Sequence, residues 1–174
     1  MREIHDFQFP ERFIAGTVGM PGERTFYLQA IDGRRNVSVA LEKNQLAILA
    51  ERIVALFKEL KMGKAQDLKR NNRPLPQLLT PFSEEFRIVA LSLTWNAQTE
   101  QLIIEAQGGE ESEIVEDIDT GPPLLRVTLA METALGFALD SFTLISAGRP
   151  PCQFCGAPLD PQGHVCPRAN GYRR

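Results

Sequence analysis

The stretch that decides the fold runs from Arg24 to Lys61: RTFYLQAIDGRRNVSVALEKNQLAILAERIVALFKELK. Arg24 to Ile31 alternates apolar and polar side chains, the period of a strand with one buried face. Asp32-Gly33 is a hairpin signal, because a two-residue turn needs a residue that tolerates positive φ. Asn36 to Leu41 then returns with Val37, Val39 and Leu41 on one face. After Leu41 the period changes. Leu46, Leu49, Ala50, Ile53, Val54, Phe57 and Leu60 recur at three- and four-residue spacing, which predicts a helix over about 43–61. Gly63 is the expected C-terminal stop.

Upstream, Arg12 to Gly19 reads as a further strand, closed by the Met20-Pro21-Gly22-Glu23 turn. Three antiparallel strands therefore precede the helix. Downstream, Gly63 to Ser83 reads as a linker with Pro74, Pro76 and Pro81 and four basic residues. Two readings stand: a solvated connection whose Leu75, Leu78 and Leu79 tuck onto the core, or a mobile basic flap over a site. Strands follow at Glu85 to Trp95, Gln101 to Ala106 and Leu124 to Leu129. Between the last two, residues 110–119 are acidic with no basic residue, the composition of a disordered loop. A second helix over about 132–146 carries Ala134, Phe137, Ala138, Leu144 and Ile145.

Both halves thus read strand, strand, strand, helix. Val37 to Leu41 matches Leu125 to Leu129, and Ala50 matches Ala138 at the same distance beyond. The expected fold class is α+β: duplicated strand-strand-strand-helix units forming antiparallel sheet, either one six-stranded sheet or two small sheets sharing a core, with two helices packed on it and a zinc-ribbon-like knuckle at the C-terminus. The body is residues 1–147, with halves at about 7–62 and 84–147, and the tail is 148–174.

A chain of 174 residues with 43% apolar side chains can bury a core of its own. The net charge of -3 is not the basic excess of a nucleic-acid binder. No apolar run approaches the roughly 20 residues that span a bilayer, so no membrane partner is expected. The N-terminus lacks the apolar core of a signal peptide, and the expected location is the cytoplasm.

The tail carries the one motif with chemistry. All three cysteines lie in it. Cys152-Gln-Phe-Cys155-Gly156 has zinc-knuckle spacing, in which two thiolates reach one ion if the backbone turns tightly. His164-Val-Cys166 supplies the second pair. Together Cys152, Cys155, His164 and Cys166 form a closed Cys3His set, which is a structural zinc site with no open position. A redox pair of Cys152 and Cys155 needs a helix N-terminus at the first cysteine, and Pro158 and Pro161 argue against one. Arg149, Arg168, Arg173 and Arg174 make the tail basic.

Other features carry less. His5 is the only histidine besides His164 and reads as exposed and idle. The glycine-rich stretch Gly16 to Gly22 lacks the Gly-Lys-Ser/Thr ending of a phosphate loop and reads as a turn. Trp95 and Tyr27 read as packing residues.

With these residues in view, the sequence resembles an uncharacterised, mainly actinobacterial domain-of-unknown-function family. The matching stretches are Pro10 to Gly19, Arg24 to Ala30, Ser38 to Lys43 and a tail of the form GRPPCxFCGxPLDPxGHxCPRxNGY. The resemblance implies no assigned activity and supplies no catalytic residue.

The expected function is therefore a non-enzymatic, zinc-stabilised interaction or adaptor protein whose tail meets a protein partner. Two alternatives stay open. One is an enzyme or small-ligand binder with a polar site between the halves, where Arg12, Arg24, Glu42 and Lys43 stand beside strand ends. The other is an RNA-associated protein, for which the tail arginines are the only support.

Overall fold

The computed structural model describes residues 1–20, 22–147, 153–155 and 166. Among these, eight strands and two α-helices follow in the order β1 (Ile4–Gln8), β2 (Arg12–Val18), β3 (Thr25–Asp32), β4 (Arg35–Leu41), α1 (Lys43–Glu59), β5 (Glu84–Arg87), β6 (Ala90–Asn96), β7 (Gln101–Gln107), β8 (Leu124–Ala130) and α2 (Met131–Ser146).

The class is α+β and two sheets share one core, one of the two expected arrangements, but each sheet is mixed and four-stranded where antiparallel pairing of three strands was expected. Two mixed four-stranded sheets form, in the orders β2-β3-β4-β5 and β1-β8-β7-β6. In each, three strands form an antiparallel meander and one short edge strand runs parallel to the last of them: β5 along β4, and β1 along β8. The first strand of each half thus closes the sheet built by the other half.

The segment expected as one strand, Glu85 to Trp95, is two. The amide of Ile88 donates to the Ala40 carbonyl at 2.7 Å, in the first sheet. The next amide, of Val89, donates to the Gln107 carbonyl at 2.8 Å, in the second. The chain changes sheets between neighbouring residues without interrupting its apolar pattern. β1 escaped the sequence reading for a related reason. Phe7 is its one buried residue, and backbone pairing with β8 holds the rest.

One core joins both sheets and both helices. Leu28, Val39, Leu46, Ile53, Leu102, Ile104, Val127 and Ala138 are fully or almost fully buried in it. Burying a side chain of this size is worth roughly 1.5–3 kcal/mol, so this core is the main source of stability. The stripe on α1 buries Leu46, Leu49, Ala50, Ile53 and Phe57 as expected. Its end is not at Gly63. Lys61 takes the left-handed conformation (φ 51°), its amide donates to Lys58, and Met62 donates to Phe57. This is the paired closure of a Schellman motif, with lysine where glycine is usual. In the β3–β4 hairpin Asp32 pairs with Arg35, so the turn is Gly33-Arg34, with Gly33 at φ 60°. Glycine at the first turn position suits a primed turn.

The two connections are organised by buried polar side chains. Gln29, fully buried on β3, accepts from the Leu79 amide at 2.8 Å and donates to the Leu79 carbonyl at 3.0 Å. Leu78 lies directly over Gly16, in the space a Cβ there would fill. Arg70 and Arg73 both reach Asp140 on α2, at 2.7 and 2.9 Å. Residues 70–79 are thus pinned to the body, which corrects the reading as a mobile flap. Of the three leucines, Leu75 packs on the main core.

The acidic loop is likewise not disordered. Its carbonyls wrap Arg2, which is 6% exposed. The guanidinium donates to Val115 (2.6 Å), Asp117 (2.8 Å) and Pro122 (2.7 Å), and to the Gln107 side chain (2.8 Å). Gln107 in turn accepts from the Val115 amide and donates to the Glu113 carbonyl. The Asp117 carboxyl is held below its ordinary value, first by the Asp119 amide and then by Thr120. A cation that the composition places outside the loop supplies what the loop itself lacks.

Candidate functional site

The cleft with the most distinctive chemistry lies where β3 begins, β4 passes into α1, and β5 joins the first sheet. It encloses about 320 Å³ and is lined by Gly22, Arg24, Thr25, Phe26, Leu41, Glu42, Lys43 and Arg87. Local structure explains each position. Glu42 ends the strand in extended conformation and caps α1, its amide donating to Gln45 Oε1 at 2.7 Å. This fixes Glu42 and Lys43 at the helix mouth. Parallel pairing of β5 with β4 sets Arg87 opposite Ala40, beside them. Arg24 precedes β3 and stacks on Phe26, its guanidinium carbon 5.0 Å from the ring centroid.

The charges are unbalanced. Glu42 is paired with Arg87 at 3.0 Å. That leaves Arg24 and Lys43 without a carboxylate partner among the described residues. Arg24 is half-buried, and its closest polar contact is the Leu144 carbonyl of α2 at 3.4 Å. Desolvation by burial draws its pKa down. A cation losing water without gaining a counter-charge is costly, and an anion entering the cleft would relieve that cost.

Three of the four residues singled out beside strand ends therefore meet: Arg24, Glu42 and Lys43. Arg12 does not join them and donates to the Gln77 carbonyl at 2.8 Å instead, fixing the linker. Arg87 was missed. Its strand is short and polar, and only the parallel pairing with β4, distant in sequence, delivers it. Both halves border the cleft, since Arg87 of β5 comes from the second. Tyr27 packs edge-on against Phe82, and Trp95 lies against the core, so both are packing residues as expected.

Of the proposed zinc ligands, Cys155 is partly buried and Cys166 is 5% exposed. Cys152 and His164 lie outside the described residues. No helix among the described residues is long and apolar enough to cross a membrane.

Fold and cleft together define an α+β protein of two interlocked four-stranded sheets with a cation-rich cleft at one helix mouth. The chain belongs to the family described as Protein of unknown function (DUF3090), whose model matches residues 5–166. Neither a curated protein nor a solved structure matches it.

Proposed function

We propose that this protein binds a small anionic ligand, phosphate- or carboxylate-bearing, in the cleft formed by Arg24, Lys43 and Arg87. The observation that carries the reading is Arg24: half-buried, stacked on Phe26, and among the described residues meeting no polar group closer than a main-chain oxygen at 3.4 Å. Arginine presents a planar fork of donors that matches phosphate and carboxylate oxygens. Lys43 adds a mobile charge at the positive end of α1. Glu42 holds Arg87 in place and does not face the ligand as a free charge. Binding is the activity that this set of charges supports.

The tail belongs to the same proposal. Cys152, Cys155, His164 and Cys166 hold a structural zinc ion, the tail motif is that of a mainly actinobacterial family, and the protein works in the cytoplasm. α2 ends at Ser146, two residues past the carbonyl that Arg24 meets. The two halves descend from one duplicated unit, a reading supported by the matching strand order of the two sheets. A second reading, docking of a protein partner on the tail, is favoured by Phe154, which is 60% exposed.

Pyrophosphate is the probe for the test, with thermal unfolding and calorimetric titration of the wild type, Arg24→Ala and, as a control far from the cleft, Arg52→Ala. Pyrophosphate is expected to raise the unfolding temperature of the wild type and of Arg52→Ala. Ligand present at 100 times its Kd stabilises by about 2.7 kcal/mol. Arg24→Ala should show no such rise. An equal rise in Arg24→Ala, or none in the wild type with pyrophosphate or inorganic phosphate, would sink the proposal.

A further inference from the structure

The geometry points to a second metal site, distinct from the cysteine tail, in which Glu3, His5 and Glu85 bind a divalent ion of the zinc class between β1 and β5. These two strands are the parallel edges that each half contributes to the other's sheet. His5 is not the idle surface residue that its position suggests, since its side chain is only 18% exposed. Its Nε2 is shielded from solvent and has no hydrogen-bond partner among the described residues. It does face Glu3 Oε1, at 3.3 Å, but without the alignment that a hydrogen bond needs. A buried ring nitrogen left this way is costly unless something else engages it.

The distance is informative. Two ligand atoms at about 2.0–2.1 Å from one zinc ion, at the tetrahedral angle, lie about 3.3 Å apart. The Nε2–Oε1 separation therefore equals one edge of such a site. A ligand atom of Glu85 completes a group of three whose members all lie within 4.8 Å of one another. Glu3 and Glu85 are exposed, so rotation of their side chains closes the remaining gap and water fills the fourth position. Imidazole with two carboxylates is a mixed nitrogen and oxygen set, which suits zinc-class ions better than calcium or magnesium. The ion would tie the N-terminal strand to the strand at which the chain crosses between sheets. Ion-pairing of His5 with Glu3 alone accounts for neither the misaligned Nε2 nor the approach of Glu85.

Cobalt(II) titration of the full chain separates this site from the tail. Thiolate ligands give an intense near-ultraviolet charge-transfer band, and a site of imidazole and carboxylates does not. Wild type is expected to bind one ion that adds nothing to that band. His5→Gln and Glu85→Gln should each weaken this ion at least tenfold and leave the band unchanged. Loss of the band in Cys152→Ser with the other ion retained would confirm that the two sites are independent. Wild type that binds no ion outside the band, or a His5→Gln variant that binds it as wild type does, would overturn the inference. Thermal unfolding of each variant without metal shows whether it is folded, and Glu85→Gln, on an exposed side chain, keeps the test valid if His5→Gln is not. Absence of the band in wild type would count against the tail alone.

Discussion

Replacing Arg2 with alanine should detach the acidic loop and lower stability well beyond what one terminal residue suggests. The guanidinium makes four hydrogen bonds between 2.6 and 2.8 Å, three of them to loop carbonyls. Each hydrogen bond to a charged group is worth about 1.5–3 kcal/mol on deletion, but the four share one side chain and the freed carbonyls regain water. The expected loss is therefore about 3 kcal/mol rather than their sum. For a chain of this length, 1 kcal/mol shifts the unfolding midpoint by about 2–4 °C, so the fall should be about 6–12 °C. Calorimetry measures the fall, and hydrogen exchange at the Val115 amide, which donates to Gln107 Oε1, localises it. Because the acceptors are chiefly neutral carbonyls, added salt should change the loss little. Arg2→Lys keeps the charge but not the fork and should fall between wild type and alanine. A loss under about 1 kcal/mol, with exchange across 108–121 unaltered, would refute the idea that this arginine organises the loop.

The linker offers two parallel cases. Gln29→Leu fills similar space but strips both Leu79 main-chain groups of their partner, so it should cost about 2 kcal/mol in urea unfolding and open the 70–79 segment to protease. Unchanged cleavage there would show that Gln29 is not the anchor. Gly16→Ala places a methyl group on Leu78 and should cost about 1 kcal/mol or more. Combined with Leu78→Ala, it should cost less than the two single changes added together, and strict additivity in a double-mutant cycle would remove the contact from the account.

Much of the meander and both helices were legible because their signals are local. The run Thr25 to Leu41 alternates with period two and contains its own turn glycine, and α1 carries an unbroken stripe. Ile4 to Gln8 gave no such signal, and Glu84 to Arg87 was read only as the start of one longer strand. Each is short and largely polar, and each becomes a strand only because β8 or β4 offers a free edge. The acidic loop misled for the converse reason. Its composition is that of a disordered segment, yet one arginine from more than a hundred residues away satisfies its carbonyls. At the cleft, Arg24, Glu42 and Lys43 were legible as charges at strand ends, and Arg87 was not.

By itself, then, the sequence determined the α+β class, the meanders, the helices and a tail whose cysteine spacing suits zinc. Periodicity and short-range turn chemistry act within one element, where neighbouring residues carry all the information. Only the tertiary structure decided that the edge strands cross between sheets, that Arg87 joins Arg24 and Lys43, and that His5 stands beside Glu85. Those juxtapositions depend on which backbone edges remain unpaired once the meanders have formed. That is a property of the assembled sheets and is written in no single stretch of chain.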